Sequence, residues 1–258
     1  MAVKKHQVNV YSVSGEVLKT TPLPKAFATL YRPDVIRKAV VAEESNARQP
    51  YGSKVGAGMR HSVSTWGKGR GAARVQRLAQ GARGAESPNN VGGRRAFPPK
   101  VERSWEMKVN KKERVAARKS ALATMANVEL VKKRGHQFAE GVTLPVIFED
   151  SMEQLATTAD VMQALVSVGI SDDVTRAKEA RNVRPGKGKM RGRRFKGARG
   201  VLIVVADKAA PIFKGAANLS GVEIVSPEQL NAGTLAPGGD AGRLAVFSEA
   251  ALKIVEGW

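Results

Sequence analysis

Residues 201–207, Val-Leu-Ile-Val-Val-Ala-Asp, place five aliphatic side chains in a row and then stop at a carboxylate. A strand with one wet face alternates apolar and polar positions, whereas a strand covered on both faces has no polar position to fill; five residues are also too few for a buried helix. The run therefore reads as a central strand of a parallel sheet. Outward from it, residues 144–149 (LPVIFE), 222–226 (VEIVS) and 243–248 (RLAVFS) read as companion strands. Between and after them lie a helix from about Thr158 to Val168, a short helix starting at Pro227 and a last helix capped by Ser248. Such alternation builds a doubly wound α/β domain, a mainly parallel sheet with helices on both faces. Nearer the N-terminus, the near-alternation of Val8, Val10 and Val13 adds a strand, and Arg32-Pro33-Asp34 opens a helix with Val35, Ile36, Ala39 and Val40 at helical spacing. Asn110 is placed to cap a helix over 111–126, with Val115, Leu122 and Met125 along one side.

Two stretches fall outside this alternation, and they hold the whole excess of positive charge. The chain of 258 residues has a formal net charge of +20. Residues 46–103 carry 12 Lys and Arg against Glu86 and Glu102, and residues 176–200 carry 11 against Glu179, a net of +10 in each. The other 175 residues are neutral, with 20 basic and 20 acidic side chains. A merely solvated surface would scatter its excess over many helix faces; charge gathered in two stretches points to a polyanion, with nucleic acid the first candidate and an anionic membrane the second. No run of about 18 apolar residues occurs, and MAVKKHQVNV lacks the apolar core of a signal peptide. The expectation is a soluble, cytoplasmic protein without a membrane partner. With no cysteine, disulfides, thiolate metal sites and cysteine nucleophiles are excluded.

The first stretch holds ten of the 26 glycines and only seven Val, Leu, Ile or Phe residues. Ordering a backbone costs roughly 1–2 kcal/mol per residue, which so little apolar surface cannot offset. It reads as an extended Gly/Arg-rich insertion over 46–103 in a globular domain made of 1–45 and 104–258, mobile when free and ordered on RNA. Residues 176–200 form a second basic loop within that domain.

In 65–77, TWGKGRGAARVQR, glycines alternate with cations beside Trp66. Glycine lets the backbone approach phosphate closely, and guanidinium groups pair with phosphate or stack on bases. Trp66, with Tyr51 and Phe97, has two readings, a platform for bases or a pin that fastens the loop to its own chain. Neither glycine-rich run is a nucleotide fingerprint: GxGxxG would need glycine where Ala72 stands, and in 184–194, RPGKGKMRGRR, Lys187 is followed by Gly188 rather than Ser or Thr. The bland alternatives are a disordered linker for the first run and a solvated or targeting patch for the second. Nothing points to catalysis or a cofactor. His6, His61 and His136 are isolated, Ser14 has no nucleophile elbow, and the pairs Glu43-Glu44, Glu149-Asp150 and Asp172-Asp173 suit surface or capping positions better than an acid/base dyad.

Five strings occur in the order they have in one family: RQPYGSKVGAG, STWGKGRGAARV, RRAFPPKVERSWEMKVNKKER with SALAT, RPGKGKMRGRR, and APGGDAGRLAVFSEAAL. From about Pro33 to Leu252 the chain resembles the universal large-subunit ribosomal protein four family in its archaeal and eukaryotic form. The resemblance implies a globular domain on the outer surface of the large subunit and a long loop buried in large-subunit rRNA, its tip at the wall of the peptide exit tunnel. Carried onto this chain, the tip lies between about Trp66 and Arg83, with Lys68, Arg70, Arg74 and Arg77 as candidates for contact with rRNA or the nascent polypeptide. The expected RNA-binding set in the long loop is Arg48, Lys54, Arg60, Trp66, Lys68, Arg70, Arg74, Arg77, Arg83, Arg94, Arg95, Lys100 and Arg103. The second loop contributes Arg184, Lys187, Lys189, Arg191, Arg193, Arg194, Lys196 and Arg199, and APGGDAGRL is a structural turn before the last strand. Expected partners are large-subunit rRNA, neighbouring ribosomal proteins and the nascent chain, with no cofactor and no small-molecule substrate. An extraribosomal regulator that binds RNA, for example its own message, is the alternative the same residues would serve.

Overall fold

The computed structural model describes residues 7–258, so His6 and most of the N-terminal stretch read for a signal peptide lie outside the described residues. In chain order the elements are β1 (Gln7–Tyr11), β2 (Val17–Pro22), α1 (Pro33–Asn46), β3 (Val63–Ser64), β4 (Arg77–Leu78), α2 (Lys111–Met125), α3 (Val128–Arg134), β5 (Val146–Phe148), α4 (Thr158–Val168), α5 (Ser171–Glu179), β6 (Asn182–Val183), β7 (Phe195–Lys196), β8 (Leu202–Val204), α6 (Ile212–Gly215), β9 (Glu223–Val225), α7 (Ala232–Leu235), β10 (Ala245–Ser248) and α8 (Glu249–Glu256). They fall into two compact units: a body made of the chain up to Glu44 together with Met107–Trp258, and a second unit over Ser45–Glu106.

The body is a six-stranded sheet in the order β2-β1-β5-β10-β8-β9, parallel throughout except for the antiparallel edge pair of β1 and β2. In the middle, Val246 lies opposite both Val146 and Ile203, and Phe247 opposite both Ile147 and Val204. Successive side chains leave opposite faces of a strand. Leu202, Val204, Ala245, Phe247 and Ile147 therefore join one core under α1, α2, α7 and α8, while Val201, Ile203, Val205, Val146, Phe148 and Val246 join the other under α3, α4, α5 and α6. Five aliphatics in a row are what a strand buried on both faces requires, and the doubly wound α/β reading holds.

Several elements depart from the expectations. Val13 lies not in the first strand but in a tight turn after it, closed by Ser12 N–H to the Glu16 carbonyl (2.9 Å) and by Gly15 at φ +93°. That turn feeds β2, whose exposed VLKTTP side chains carry no apolar periodicity to read. Asn110 occupies the N-cap position of α2 without a side-chain bond, and Val115 is only half-buried beside the buried Leu122 and Met125. Helices α3 and α5 add to the expected elements; the core face of α5 includes the carboxylate Asp173, which masks its amphipathic pattern.

In open α/β sheets ligands bind beyond the carboxyl ends of the strands. Here the 3-10 turn Asp150–Gln154 closes that region: Glu153 accepts the Ala206 N–H (2.8 Å) beyond β8, and Asp150 accepts the Ala250 N–H (2.8 Å) beyond β10.

Candidate nucleic-acid interface

The second unit has almost no interior. Among its residues only Ala85 is buried, so its shape is set by turns, glycines and ring contacts rather than by a core. The short β3–β4 hairpin pairs Val63 with Leu78 and Ser64 with Arg77, and it closes a loop over residues 65–76. Within that loop Gly67, Gly69 and Gly71 all take positive φ (73°, 79° and 61°), a region that β-carbons disfavour. The exposed side chains of Lys68 and Arg70 alternate with them, and the exposed Arg74 follows three residues after Gly71. The Arg77 guanidinium lies 4.8 Å from the Trp66 ring centroid and donates to the carbonyls of Ala73 (3.3 Å) and Ala82 (2.5 Å). Trp66 and Arg77 thus contribute to the loop's own form.

At the root of the unit Tyr51 stacks on Trp105 (6.0 Å between centroids, 15° between planes), and the guanidinium groups of Arg48 and Arg103 lie 4.8 and 4.4 Å from the same indole. Trp105 lies just outside the basic stretch, and charge counting passes over it. Lys54, Arg94, Arg95 and Lys100 come together around a concavity of about 340 Å³ with Val55, Met59 and Val101. Arg60 and Arg83 are exposed, and Val55, Val91 and Phe97 are each more than 90% exposed.

The second basic stretch begins inside a helix, since residues 176–179 are the end of α5. Beyond it β6 and β7 form a hairpin pairing Val183 with Phe195 and Asn182 with Lys196. Arg181 and Arg194 lie over Phe195 (4.6 and 5.6 Å), and Arg184 donates from Nε to the Arg193 carbonyl (3.1 Å). The tip is the 3-10 turn Lys187–Arg191, flanked by Gly186 and Gly192 at positive φ, so Lys187, Lys189 and Arg191 stand in solvent with Arg193. Arg199 reaches back to Glu223 (3.5 Å).

Seven cations of the body outside the two stretches form ion pairs among the described residues: Lys19 and Lys253 with Glu249, Arg32 with Asp34, Arg37 with Asp240, Lys38 with Glu113, Lys208 with Glu228 and Arg243 with Glu223. Among the described residues no ion pair involves any of the 12 Lys and Arg of residues 46–103, and in 176–200 only Arg176 and Arg199 have one. The excess charge that the sequence places in the two stretches is therefore left almost wholly uncompensated by ion pairs among the described residues. Among the described residues there is no group of three His, Asp or Glu placed to hold a metal, and no helix long and apolar enough to cross a membrane.

Of the three carboxylate pairs, Glu43 accepts the N–H groups of Ala232 and Gly233 (3.3 and 2.8 Å) at the start of α7, and Asp150 serves α8 as described. The third differs. Asp173 is buried, with Oδ1 accepting from His136 Nδ1 (2.9 Å), the Gln137 N–H (3.2 Å) and Arg176 Nε (2.9 Å). Burial raises the Asp173 pKa, but the hydrogen bonds and charges of His136 and Arg176 outweigh it and hold the carboxyl below its ordinary 3.8. A carboxylate depressed in this way stabilises the fold above its unfolded pKa, and the contribution is lost as pH falls through the folded value. Asp173→Asn is expected to lower stability at pH 7 and to flatten its decline below about pH 4; urea unfolding midpoints across that window test this, and parallel curves for parent and variant would count against it.

A doubly wound body whose strand ends are closed by its own carboxylates, in a chain whose excess positive charge is concentrated in two stretches, is a basic scaffold. More particularly, the chain belongs to the ribosomal protein L4/L1 family, whose model matches residues 21–258. It is 50% identical over 244 residues to the large ribosomal subunit protein uL4 of Methanocaldococcus jannaschii, covering 95% of this chain and 96% of that one. The proteins of the same name from Methanoregula boonei (46% over 251 residues, 97% and 99% covered) and Archaeoglobus fulgidus (44% over 252 residues, 98% and 99%) are similar to it along nearly the whole length. The resemblance drawn from the five strings is thus confirmed in its archaeal form, and the chain is a ribosomal protein and not an enzyme.

Proposed function

We propose that the chain is a structural constituent of the large ribosomal subunit, fastened to large-subunit rRNA by its two basic stretches, with the 65–76 loop presented at the wall of the peptide exit tunnel. The observation that carries this is the concentration of charge: each stretch has a net charge of +10 while the other 175 residues are neutral, and among the described residues none of the 12 cations of 46–103 has an ion pair within the chain. Lys and Arg bind phosphate without regard to sequence and gain from counterion release. The exposed Val55, Val91 and Phe97 suit a unit that is covered only after assembly. Lys68, Arg70 and Arg74 then contact rRNA or the passing chain, while Trp66 and Arg77 keep the loop in form.

The test is sedimentation with crosslinking. The full chain should stay with large subunits through a high-salt wash, and a photoreactive group at position 70 should label rRNA and nascent chains; deleting 66–76 should abolish the nascent-chain product while retaining the protein on the subunit. A mainly free pool bound to message would favour the regulator instead.

A further inference from the structure

The body outside the two stretches is neutral by formal charge, yet the fold gathers cations from four places around one cleft of about 950 Å³. Lys133 and Arg134 come from the last turn of α3, Arg176 from α5, Arg199 from the strand leading to β8, and Arg37 from α1; Glu44 and Asp240 are the carboxylates on the lining. The cations are held at defined positions. Arg134 donates to the carbonyls of Pro237 (2.9 Å) and Asp240, and Arg176 donates to the Arg199 carbonyl (2.9 Å). Arg37 reaches Asp240 at 3.6 Å, whereas Lys133 and Arg134 have no carboxylate partner among the described residues. The turn that receives Arg134 is fixed in turn by Gly242, at φ +91°, where a β-carbon would come within 2.7 Å of the Leu130 carbonyl.

His136 also lines the cleft, its side chain 1% exposed and held by Asp173 through Nδ1 while Nε2 has no partner among the described residues, so the imidazole is placed to report on what enters the cleft. Burial, and after it the charge of Arg243, pull the Arg134 pKa below its usual value, with Asp240 partly opposing them, and a bound anion would relieve that excess.

We propose that this cleft is a third phosphate site, which seats the phosphodiester backbone of an RNA strand on the body where α3 meets the two ends of the second basic stretch. The inference rests on the reading that the chain binds rRNA and adds a site to it. The lining favours phosphate over other ligands. Small-molecule pockets are mainly apolar, while this one presents fixed guanidinium groups and an ammonium, the groups that contact phosphate oxygens.

The experiment uses the full chain and a transcript of archaeal large-subunit rRNA, with the affinity measured against salt. Each lost phosphate contact lowers the slope of log K against log salt by about 0.7–0.9. Lys133→Gln, at an exposed position, should lower it by about that amount, and Lys133→Gln with Arg134→Gln by about twice as much. RNA should also shift the His136 imidazole resonances of the parent, assigned with His136→Asn, and should shift them less in the double variant. Should the double variant prove unstable, the single variant decides. Unchanged slopes in both, while removal of the hairpin cations still lowers the slope, would overturn the cleft site and leave the two-stretch reading standing. If hairpin removal has no effect either, both readings fall. A His136 shift produced by polyglutamate and not by RNA would make the cleft a protein-docking surface and overturn the proposal.

Discussion

Arg243→Ala is expected to destabilise the body by about 3–5 kcal/mol, the cost of breaking a buried ion pair from one side. Arg243 is the largest side chain with no exposure at all. It stands just before β10 and ties three other segments together: Nε donates to the Gly200 carbonyl (3.1 Å) ahead of β8, and Nη1 donates to Glu223 of β9 and to the Thr234 carbonyl of α7 (both 2.7 Å). Burial pulls its pKa down while the Glu223 carboxylate pushes back, so the charge is retained where it would otherwise be costly. Alanine removes all three bonds, leaves two carbonyls unsatisfied and opens a void. Arg243→Lys keeps the charge but cannot reproduce the forked geometry, so it should recover only part of the loss. For a body of this size the alanine change lowers Tm by on the order of 10 °C. Urea denaturation followed by circular dichroism gives the free energy directly, and a loss below about 1 kcal/mol would show that the cluster is not the clamp described. Because Gly200 ends the second basic stretch, the change should also loosen the foot of its hairpin, seen as faster amide exchange over 195–200 before global unfolding.

How much of this was legible in the sequence differs by element for physical reasons. The central strands announce themselves because burial on both faces demands uninterrupted aliphatics, as in 201–205, and α4 and α8 because their caps, Thr157 and Ser248, and their apolar stripes agree. Helix α3 spans only seven residues, two turns, too short for a period to emerge, and its limits lie in the Asn127 cap and Gly135 at φ +97°. Strand β2 has no buried face and hence no pattern. For the interface, formal charge located the two stretches because their cations have no local partners to cancel them. The same arithmetic concealed the cleft: Lys133 and Arg134 are balanced in the count by carboxylates elsewhere on the body, and only the fold brings them to Arg176 and Arg199. The His136–Asp173 pair, 37 residues apart in sequence, and the Trp105 platform rest on contacts that no spacing rule encodes.

Replacing Lys187, Lys189, Arg191, Arg193 and Arg194 by glutamine should produce the largest loss of rRNA affinity of any local change. All five side chains are exposed, none has an ion pair among the described residues, and the one ring contact among them, Arg194 over the exposed Phe195 at 5.6 Å, is loose, so stability should change by less than about 0.5 kcal/mol. Arg184 is left in place because its Nε bond to the Arg193 carbonyl and the 2.7 Å bond from its N–H to the Arg194 carbonyl shape the hairpin, and removing it would confuse shape with charge. If each of the five neutralises one phosphate, the slope of log K against log salt falls by about 3.5–4.5, and the affinity gap between parent and variant narrows as salt rises. That narrowing separates the proposed mechanism from loss of a specific fit, which would weaken binding by the same factor at every salt concentration. An unchanged slope would remove the hairpin from the phosphate contacts and leave its charge without a partner, a state in which mutual repulsion among five cations on one short turn has nothing to offset it.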